Sequence, residues 1–148
     1  MTAYSYEISL ANDILDCTDL IQEHRDTVYK CERGAFAPDR EAFNQLQDAG
    51  MLASFTVKSD DIIIGYCMVQ VFNSLHQADS VRGIVDNIYV THAHRGQCGR
   101  KLIAFVSEQL LSFGVTDLYH LVPVSLNWGA VLKRQGFTHI EDVYHKGL

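Results

Sequence analysis

A nearly unbroken apolar segment from Ile62 to Phe72 constrains the fold of this chain more than any other feature. It follows the turn-like residues Ser59-Asp60-Asp61, and before that turn the segment from Leu52 to Lys58 alternates apolar and more polar residues. The two segments therefore predict a β-hairpin. A continuous apolar run is typical of a strand that is covered on both faces, whereas alternation is typical of a strand with one wet face. The run from Ile62 to Phe72 thus predicts a central strand.

The rest of the chain shows strand and helix patterns that give the overall order β-α-α-β-β-β-α-β-α-β. Besides the hairpin, strands are predicted at Tyr4 to Leu10, Gly83 to Val90, Asp117 to Val122 and after Gly136-Phe137. Helices are predicted from Asn12 or Asp13 to Val28, from Pro38 to Gly50, from Leu102 to Phe113, and from Ser125 or Asn127 to Gln135. We therefore expect one α/β domain over residues 1–148, with a mixed, mostly antiparallel sheet flanked by helices.

Composition and charge exclude several classes of function. The 148 residues are 47% hydrophobic and 20% charged, which suits one ordered domain with a core of its own. The formal charge is −6, and no stretch concentrates Lys or Arg, so nucleic acid is not expected as the primary ligand. The apolar runs are far shorter than the roughly 20 residues that span a bilayer, and residues 1–10 lack a secretion-signal pattern. We expect a cytoplasmic protein with no membrane partner.

The four cysteines, Cys17, Cys31, Cys67 and Cys98, are too far apart in the chain to form a metal-binding motif. No two of them stand in a CxxC pair, and no histidine lies at the offset of a zinc finger. A chain with this much aliphatic core does not need disulfides for stability. We therefore expect reduced thiols and no metal site.

The turn between the strand that ends at Val90 and the helix that contains Leu102 has the character of an anion-binding site. The first N–H groups of a helix lack intrahelical partners and carry the positive end of the macrodipole. Gly96 and Gly99 allow backbone to approach a diphosphate closely, while Arg95 and Arg100 add positive charge. Such a turn can also serve only to connect two elements. It lacks the GxGxxG motif of NAD sites and the GK[ST] motif of ATP sites.

Several segments together resemble the GNAT superfamily of N-acetyltransferases, over most of the chain. The stretch from Asp61 to Tyr66 resembles the third strand of the family with its recurrent glycine, and Ile88-Tyr89-Val90 resembles the strand that contacts the pantetheine arm. The run Arg95-Gly96-Gln97-Cys98-Gly99 lies where the family has its pyrophosphate loop, and Leu132 to Phe137 is similar to its closing helix with a Gly-Phe exit.

The resemblance implies acetyl transfer from acetyl-CoA to a primary amine of a small molecule or a protein. The implied cofactor contacts are the strand residues and the loop residues, with one further residue before the last helix: Ile88, Tyr89, Val90, Arg95, Gly96, Gln97, Cys98, Gly99, Arg100 and Ser125. The sequence leaves the oligomeric state open, and a homodimer is one of the states that it allows.

The chain departs from the commoner family pattern in two places. Its loop has Cys98 and Arg100 where the pattern Arg/Gln-x-x-Gly-x-Gly/Ala has small residues, and it looks closer to the Arg-Gly-x-x-Gly-x-x-Leu version of small GNAT-like proteins from tailed bacteriophages. Leu132 stands where family members often have a tyrosine that protonates the leaving thiolate, and Ser125 replaces an expected asparagine. The missing tyrosine and the altered glycine loop raise an alternative function, namely a catalytically weak or inactive structural or protein-binding component. The likeness of the loop to the phage proteins suggests a viral origin.

Two residues are candidates for the catalytic chemistry. Asp86 lies where many family members have an acidic residue at the cleft, and strand alternation predicts that it shares a face with Ile88 and Val90. It would act as a general base, bind the substrate ammonium, or serve only as a strand-end carboxylate. His120, on the fifth strand, is a second candidate for base or thiolate acid, although a lone strand histidine is more often a packing residue.

Overall fold

The computed structural model describes residues 3–28 and 34–148, which contain five strands and five helices. The strands are β1 (Tyr4–Ser9), β2 (Leu52–Ser59), β3 (Ile62–Asn73), β4 (Val81–Val90) and β5 (Asp117–His120). The helices are α1 (Ala11–Leu15), α2 (Thr18–Val28), α3 (Arg40–Asp48), α4 (Gln97–Ser112) and α5 (Gly129–Arg134), with a short 3₁₀ turn at His92–His94.

The strands form one sheet in the order β1-β2-β3-β4-β5. The first three pairings are antiparallel, and β5 pairs with β4 in parallel. Strand β3 is the middle of the sheet, and β2 and β3 form the expected hairpin. The predicted mixed, mostly antiparallel α/β fold is therefore confirmed.

Two apolar cores cover the two faces of the sheet, and β3 contributes to both. Cys67 and Val69 lie in a core that also contains the buried face of α4. Tyr66 and Met68 lie in a core that also contains buried residues of α1 and α2. Because successive side chains of a strand point to opposite faces, a strand with two covered faces must be apolar at nearly every position. This explains the continuous apolar run of β3.

Gly65 lets β3 and β4 pack closely at the centre of the sheet. A Cβ atom added there would lie 2.8 Å from the Tyr89 carbonyl oxygen, 2.8 Å from Val57 Cγ1 and 2.9 Å from Val90 Cγ2. Real Cβ atoms essentially never come so close to backbone. The glycine at this position is therefore a packing requirement.

Several predicted boundaries differ from the structure. The long first helix is two helices, because α1 ends at Leu15 and α2 begins at Thr18. Strand β5 ends at His120, whereas the prediction extended it to Val122. Helix α4 begins at Gln97, whereas the prediction began it at Leu102. The predicted α5 start at Ser125 or Asn127 is also too early.

The predicted final strand after Gly136-Phe137 is wrong. Residues 137–148 form no helix or strand, and residues 138–148 are all exposed. Gly136 has a φ of +92°, which turns the chain away from the end of α5. A strand needs a partner edge for its backbone groups, and these residues pair with none of the five strands of the described sheet.

Cys17, Cys67 and Cys98 carry free thiols, whereas Cys31 lies outside the described residues. Among the helices in the described ranges, none combines the length and apolar character that crossing a membrane requires.

Candidate functional site

Strand β4 extends beyond its parallel partner, which leaves an opening at one edge of the sheet. The last pair between the two strands is Val85 with His120, where β5 ends, but β4 continues to Val90. On this side, none of the described strands pairs with the stretch from Asp86 to Val90. We call this opening the β4–β5 gap. An unpaired strand edge presents backbone N–H and C=O groups to any extended molecule that lies along it.

A β-bulge at Asp86 lies at the start of this gap. Met68 pairs with Asn87 and Val69 pairs with Val85, so that Asp86 is the extra residue of β4. A bulge shifts the alternation of side chains by one position. Asp86 and Asn87 both line a cavity on the α1–α2 face of the sheet.

Ile88 and Val90, in contrast, pack with the core beneath α4. The predicted shared face of Asp86 with Ile88 and Val90 is therefore wrong, because the bulge directs the carboxylate to the other face.

The turn after β4 leads directly into the N-terminus of α4. Gly96 is the N-cap residue, with φ +101° and ψ −121°, a conformation that only glycine adopts readily. Gln97, Cys98 and Gly99 form the first helical turn, where backbone N–H groups have no carbonyl partner within the helix. The positive φ thus belongs to Gly96 and not to Gly99. A Cβ at Gly99 would meet Val90 Cγ2 at 4.0 Å and nothing nearer, so there is room beside it for a ligand.

The charged side chains of the turn do not crowd this helix N-terminus. Arg95 donates from Nε to the Val90 carbonyl oxygen at 3.2 Å, and its guanidinium lies 5.3 Å from the centre of the Tyr89 ring. Arg100 has an exposed side chain, and its N–H donates to the Gly96 carbonyl oxygen at 3.5 Å. Of the predicted loop residues, Gln97, Cys98 and Gly99 are therefore the ones placed to offer backbone N–H groups to an anion.

The cavity beside Asp86 lies between the sheet and the helices α1, α2 and α3, and we call it the α2 cavity. Its volume is about 560 Å³. The lining is mostly apolar and includes five residues with polar groups. The lining residues are Ile14, Leu15, Ile21, His24, Arg25, Ala35, Phe36, Ala37, Pro38, Phe43, Tyr66, Met68, Asp86 and Asn87.

His24 is a buried residue of this cavity that the sequence analysis missed. Its ring is stacked on Tyr89, with centroids 4.5 Å apart and planes 13° apart, and its Nδ1 shares a hydrogen bond with the Tyr66 hydroxyl. Burial, together with the charge of Arg95, lowers the pKa of His24 to about 4, so the imidazole is neutral near pH 7. His24 lies three residues after Ile21, which places both on the buried face of α2. This spacing could have indicated from sequence that His24 is buried.

The other predicted site residues lie outside the α2 cavity. His120 packs edge-on against Phe137, with ring centroids 4.9 Å apart, and its Nε2 has no hydrogen-bond partner among the described residues. Burial lowers the pKa of His120 to about 4. Ser125 is exposed in the turn between β5 and α5, and Leu132 is buried on α5. Pairing with Val85 places His120 next to the β4–β5 gap but on the opposite face from Asp86.

Metal chemistry has no ligand set in the parts of the chain that the structure describes. Within residues 3–28 and 34–148, no group of three or more His, Cys, Asp or Glu side chains could hold a metal ion. The candidate site thus has three parts, which are the open edge of β4, the N-terminus of α4 and the α2 cavity with one carboxylate among its described lining.

Comparison with known proteins identifies relatives of this arrangement. The profile of the acetyltransferase (GNAT) family matches residues 17–142. No curated protein sequence matches the chain. Solved structures with a similar fold include glucosamine-6-phosphate N-acetyltransferase from Arabidopsis thaliana, with 12% identity and a TM-score of 0.75 over 98% of each chain. An aminoglycoside acetyltransferase from an uncultured soil metagenomic sample has 15% identity and a TM-score of 0.74, over 98% of this chain and 95% of that one.

A further similar structure is a predicted acetyltransferase with acetyl-CoA from Clostridium acetobutylicum. It has 13% identity and a TM-score of 0.73, and the match covers 98% of this chain and 96% of that one. At these identities the likeness concerns the fold alone. The names of these proteins cover different acceptors, so the fold does not specify the acceptor.

Proposed function

This chain belongs to the acetyltransferase (GNAT) family, and from that premise we propose that it transfers an acetyl group from acetyl-CoA to a primary amine. One observation carries the proposal. The open edge of β4 and the N-terminus of α4 are joined by a short turn, so that one segment offers backbone groups to an extended arm and N–H groups to a diphosphate. Acetyl-CoA has both parts, a pantetheine arm and a pyrophosphate.

The residues of this segment would divide the cofactor between them. Backbone groups of Ile88, Tyr89 and Val90 would hold the pantetheine arm, and the N–H groups of the first turn of α4, from Gln97 to Gly99, would hold the pyrophosphate. A backbone N–H of β4 would also polarise the thioester carbonyl, which is electrostatic stabilisation of the developing oxyanion. Ser125, exposed beyond the end of β5, stays a candidate for a further cofactor contact.

Asp86 is the best placed base, because it lies where the β4–β5 gap meets the α2 cavity. The ammonium gives one proton to Asp86, directly or through water, and the neutral nitrogen then attacks the thioester carbonyl carbon. As the C–N bond forms and the C–S bond breaks, CoA leaves as the thiolate and the nitrogen gives its second proton to water, from which the thiolate can be protonated. A primary ammonium with a pKa near 10.4 must lose a proton before it attacks, whereas a thiol near 8.5 leaves readily. His120 ranks below Asp86 as a base, since it packs against Phe137 on the opposite face of the sheet from the α2 cavity. Its pKa of about 4 also leaves it neutral near pH 7, without the proton that an acid would give to the thiolate.

The alternative function is a catalytically weak or inactive member of the family that serves as a structural or protein-binding component. The observation in its favour is Leu132, which is buried on α5 where family members often have the tyrosine acid. Both functions use the same fold, so they differ only in turnover. A protein that binds acetyl-CoA and releases no CoA with any amine would support this alternative.

Titration with acetyl-CoA tests the cofactor proposal. At about 100 times its Kd, acetyl-CoA should stabilise the protein by about 2.7 kcal/mol, which raises the melting temperature by several degrees for a domain of this size. NAD and ATP serve as controls and should give no comparable rise. A flat melting curve at millimolar acetyl-CoA, with no heat in calorimetry, would remove acetyl transfer and any form of the alternative that keeps a cofactor site.

Some sequence-based expectations stay predictions. These are the origin in a tailed bacteriophage, the cytoplasmic location, the single domain over residues 1–148 and the homodimer. Gel filtration with light scattering tests the homodimer.

A further inference from the structure

The walls of the α2 cavity favour an apolar ligand body. Phe36, Pro38 and Phe43 line the cavity and are only partly buried, so they expose apolar surface that a ligand would cover. Ile14, Leu15 and Met68 also line it but are already buried in the second core. Its volume of about 560 Å³ lies within the usual range of small-molecule sites, about 300–1,000 Å³. Apolar side chains gain free energy when a ligand removes them from water, in proportion to the apolar area covered. The cavity therefore suits an aromatic or branched aliphatic group.

The described lining of the cavity has two permanently charged or acidic side chains, which are of opposite sign. Among the described lining residues, Asp86 is the one carboxylate and Arg25 is the one permanent cation. The Asn87 amide donates to Asp86 Oδ2 at 3.0 Å. Arg25 donates to the Gly34 carbonyl oxygen at 2.9 Å, and its guanidinium lies 5.7 Å from the centre of the Phe36 ring. His24 adds no charge near pH 7, because it is buried and neutral.

We propose that the acceptor is a small monoamine whose body is aromatic or branched aliphatic, an inference that rests on the acetyl transfer proposed above. Its ammonium lies at Asp86, where the cavity meets the β4–β5 gap. Its apolar body lies against the partly buried side chains of Phe36, Pro38 and Phe43. This places the nitrogen beside the open edge of β4, along which the thioester arm of acetyl-CoA would extend.

The same lining disfavours the two acceptor types that appear in the names of structural relatives. An aminoglycoside carries several ammonium groups, and the described lining offers one carboxylate, which cannot pair with all of them. A phosphorylated amino sugar needs cations for its phosphate, and the described lining offers one permanent cation, Arg25. A charged group that gives up water contacts without gaining a partner of opposite charge binds less favourably. Both acceptor types also lack an apolar body that matches the walls.

The experiment compares acceptors at saturating acetyl-CoA, with free CoA thiol as the readout. β-Phenylethylamine and isoamylamine are the monoamines, and spermidine, kanamycin and glucosamine-6-phosphate are the competitors. We expect kcat/KM for the monoamines to exceed that of every competitor by about tenfold or more, since contacts of one apolar group discriminate by at least that factor. Calorimetry of β-phenylethylamine with the protein in the absence of acetyl-CoA measures amine binding without turnover.

Two substitutions on α3 form a matched pair for this experiment. Phe43→Ala removes an apolar wall and should raise KM for β-phenylethylamine by about tenfold, with the Kd of acetyl-CoA unchanged. Leu46→Ala removes an apolar side chain from the same helix, but Leu46 is 37% exposed and does not line the cavity, so it should change neither value. If Phe43→Ala does not fold, Phe43→Leu keeps an apolar wall and should weaken the aromatic amine more than isoamylamine.

The outcomes separate the acceptor class from the reaction. A preference for kanamycin, spermidine or glucosamine-6-phosphate, with CoA released, overturns the monoamine class and leaves acetyl transfer intact. Binding of β-phenylethylamine that depends on Phe43, without CoA release from any amine, supports the class and overturns acetyl transfer. Monoamines that neither bind nor react overturn the class. A peptide with an apolar N-terminal residue that reacts faster than both monoamines overturns it as well.

Discussion

Replacing Gly99 by alanine should separate cofactor binding from folding. Gly99 lies in the first turn of α4, its φ is not positive, and an added Cβ would touch Val90 Cγ2 at an ordinary 4.0 Å. Alanine therefore fits the folded chain without strain. The open space beside Gly99 is, however, the space through which a pyrophosphate would approach the N–H groups of the helix.

The size of each effect follows from the backbone. Inside a helix alanine is about 0.8–1.0 kcal/mol more favourable than glycine, so Gly99→Ala should keep the melting temperature or raise it by about 2–4 °C. If the added methyl group displaces one charge-assisted hydrogen bond, the loss of about 1.5–3 kcal/mol weakens acetyl-CoA by about 10–150-fold. Gly96→Ala is the contrast, because a φ of +101° with a side chain costs about 1–3 kcal/mol of stability.

Melting curves and calorimetric titration of the parent and both variants measure these effects. We expect Gly99→Ala to melt no lower than the parent and to lose acetyl-CoA affinity, and Gly96→Ala to melt lower. Gly99→Ala with the acetyl-CoA affinity of the parent would refute the placement of the pyrophosphate at the N-terminus of α4. Gly99→Val, which adds more bulk at the same point, should abolish binding.

Other predictions concern the base, the packing of the sheet and the response to pH. Asp86→Asn should lower turnover by about 10²–10⁴-fold while acetyl-CoA affinity stays unchanged. His120→Ala should lower turnover much less, and a larger loss of turnover in His120→Ala than in Asp86→Asn would exchange their roles. Gly65→Ala brings a Cβ within 2.8 Å of the Tyr89 carbonyl oxygen and should lower stability by about 1–3 kcal/mol in denaturant melts, and an unchanged stability would mean that the sheet relaxes freely. His24 and His120 have a pKa of about 4 when folded, lowered from 6.5, so the unfolded chain binds more protons and stability should fall as pH falls from about 6.5 to about 4. His120→Phe should make this fall shallower, and an identical pH profile would contradict a neutral buried imidazole.

The fold could be predicted from sequence where local patterns carry the information. The continuous apolar run of β3 reports that both faces of the strand are covered, and Tyr66 and Met68 do lie in a different core from Cys67 and Val69. The prediction of a final strand was wrong because an apolar pattern does not show whether a neighbouring strand is available for pairing. The residues beyond Phe137 meet none of the five strands, so their apolar side chains stay exposed.

The strand, the glycine-containing turn and the following helix of the candidate site were predictable from sequence, but their details were not. The helix begins at Gln97 instead of Leu102, and Gly96, with its positive φ, is the N-cap residue. Alternation along β4 could not predict which face of the sheet Asp86 lies on. The bulge arises from the pairing of β4 with Met68 and Val69 of β3, which are distant in sequence. His24 was missed for a similar reason. Its helical spacing shows burial, but its place in a cavity depends on residues distant in sequence.

The most direct test of the central claim is a single assay that measures free CoA thiol and N-acetylated product together, with β-phenylethylamine as the acceptor. If the chain is an acetyl-CoA-dependent N-acetyltransferase, the two products appear in equal amounts, and Asp86→Asn slows both without weakening acetyl-CoA. An acetyl-CoA complex that forms but yields no more CoA and acetylated amine than a protein-free control, with this and every other amine, would contradict the claim.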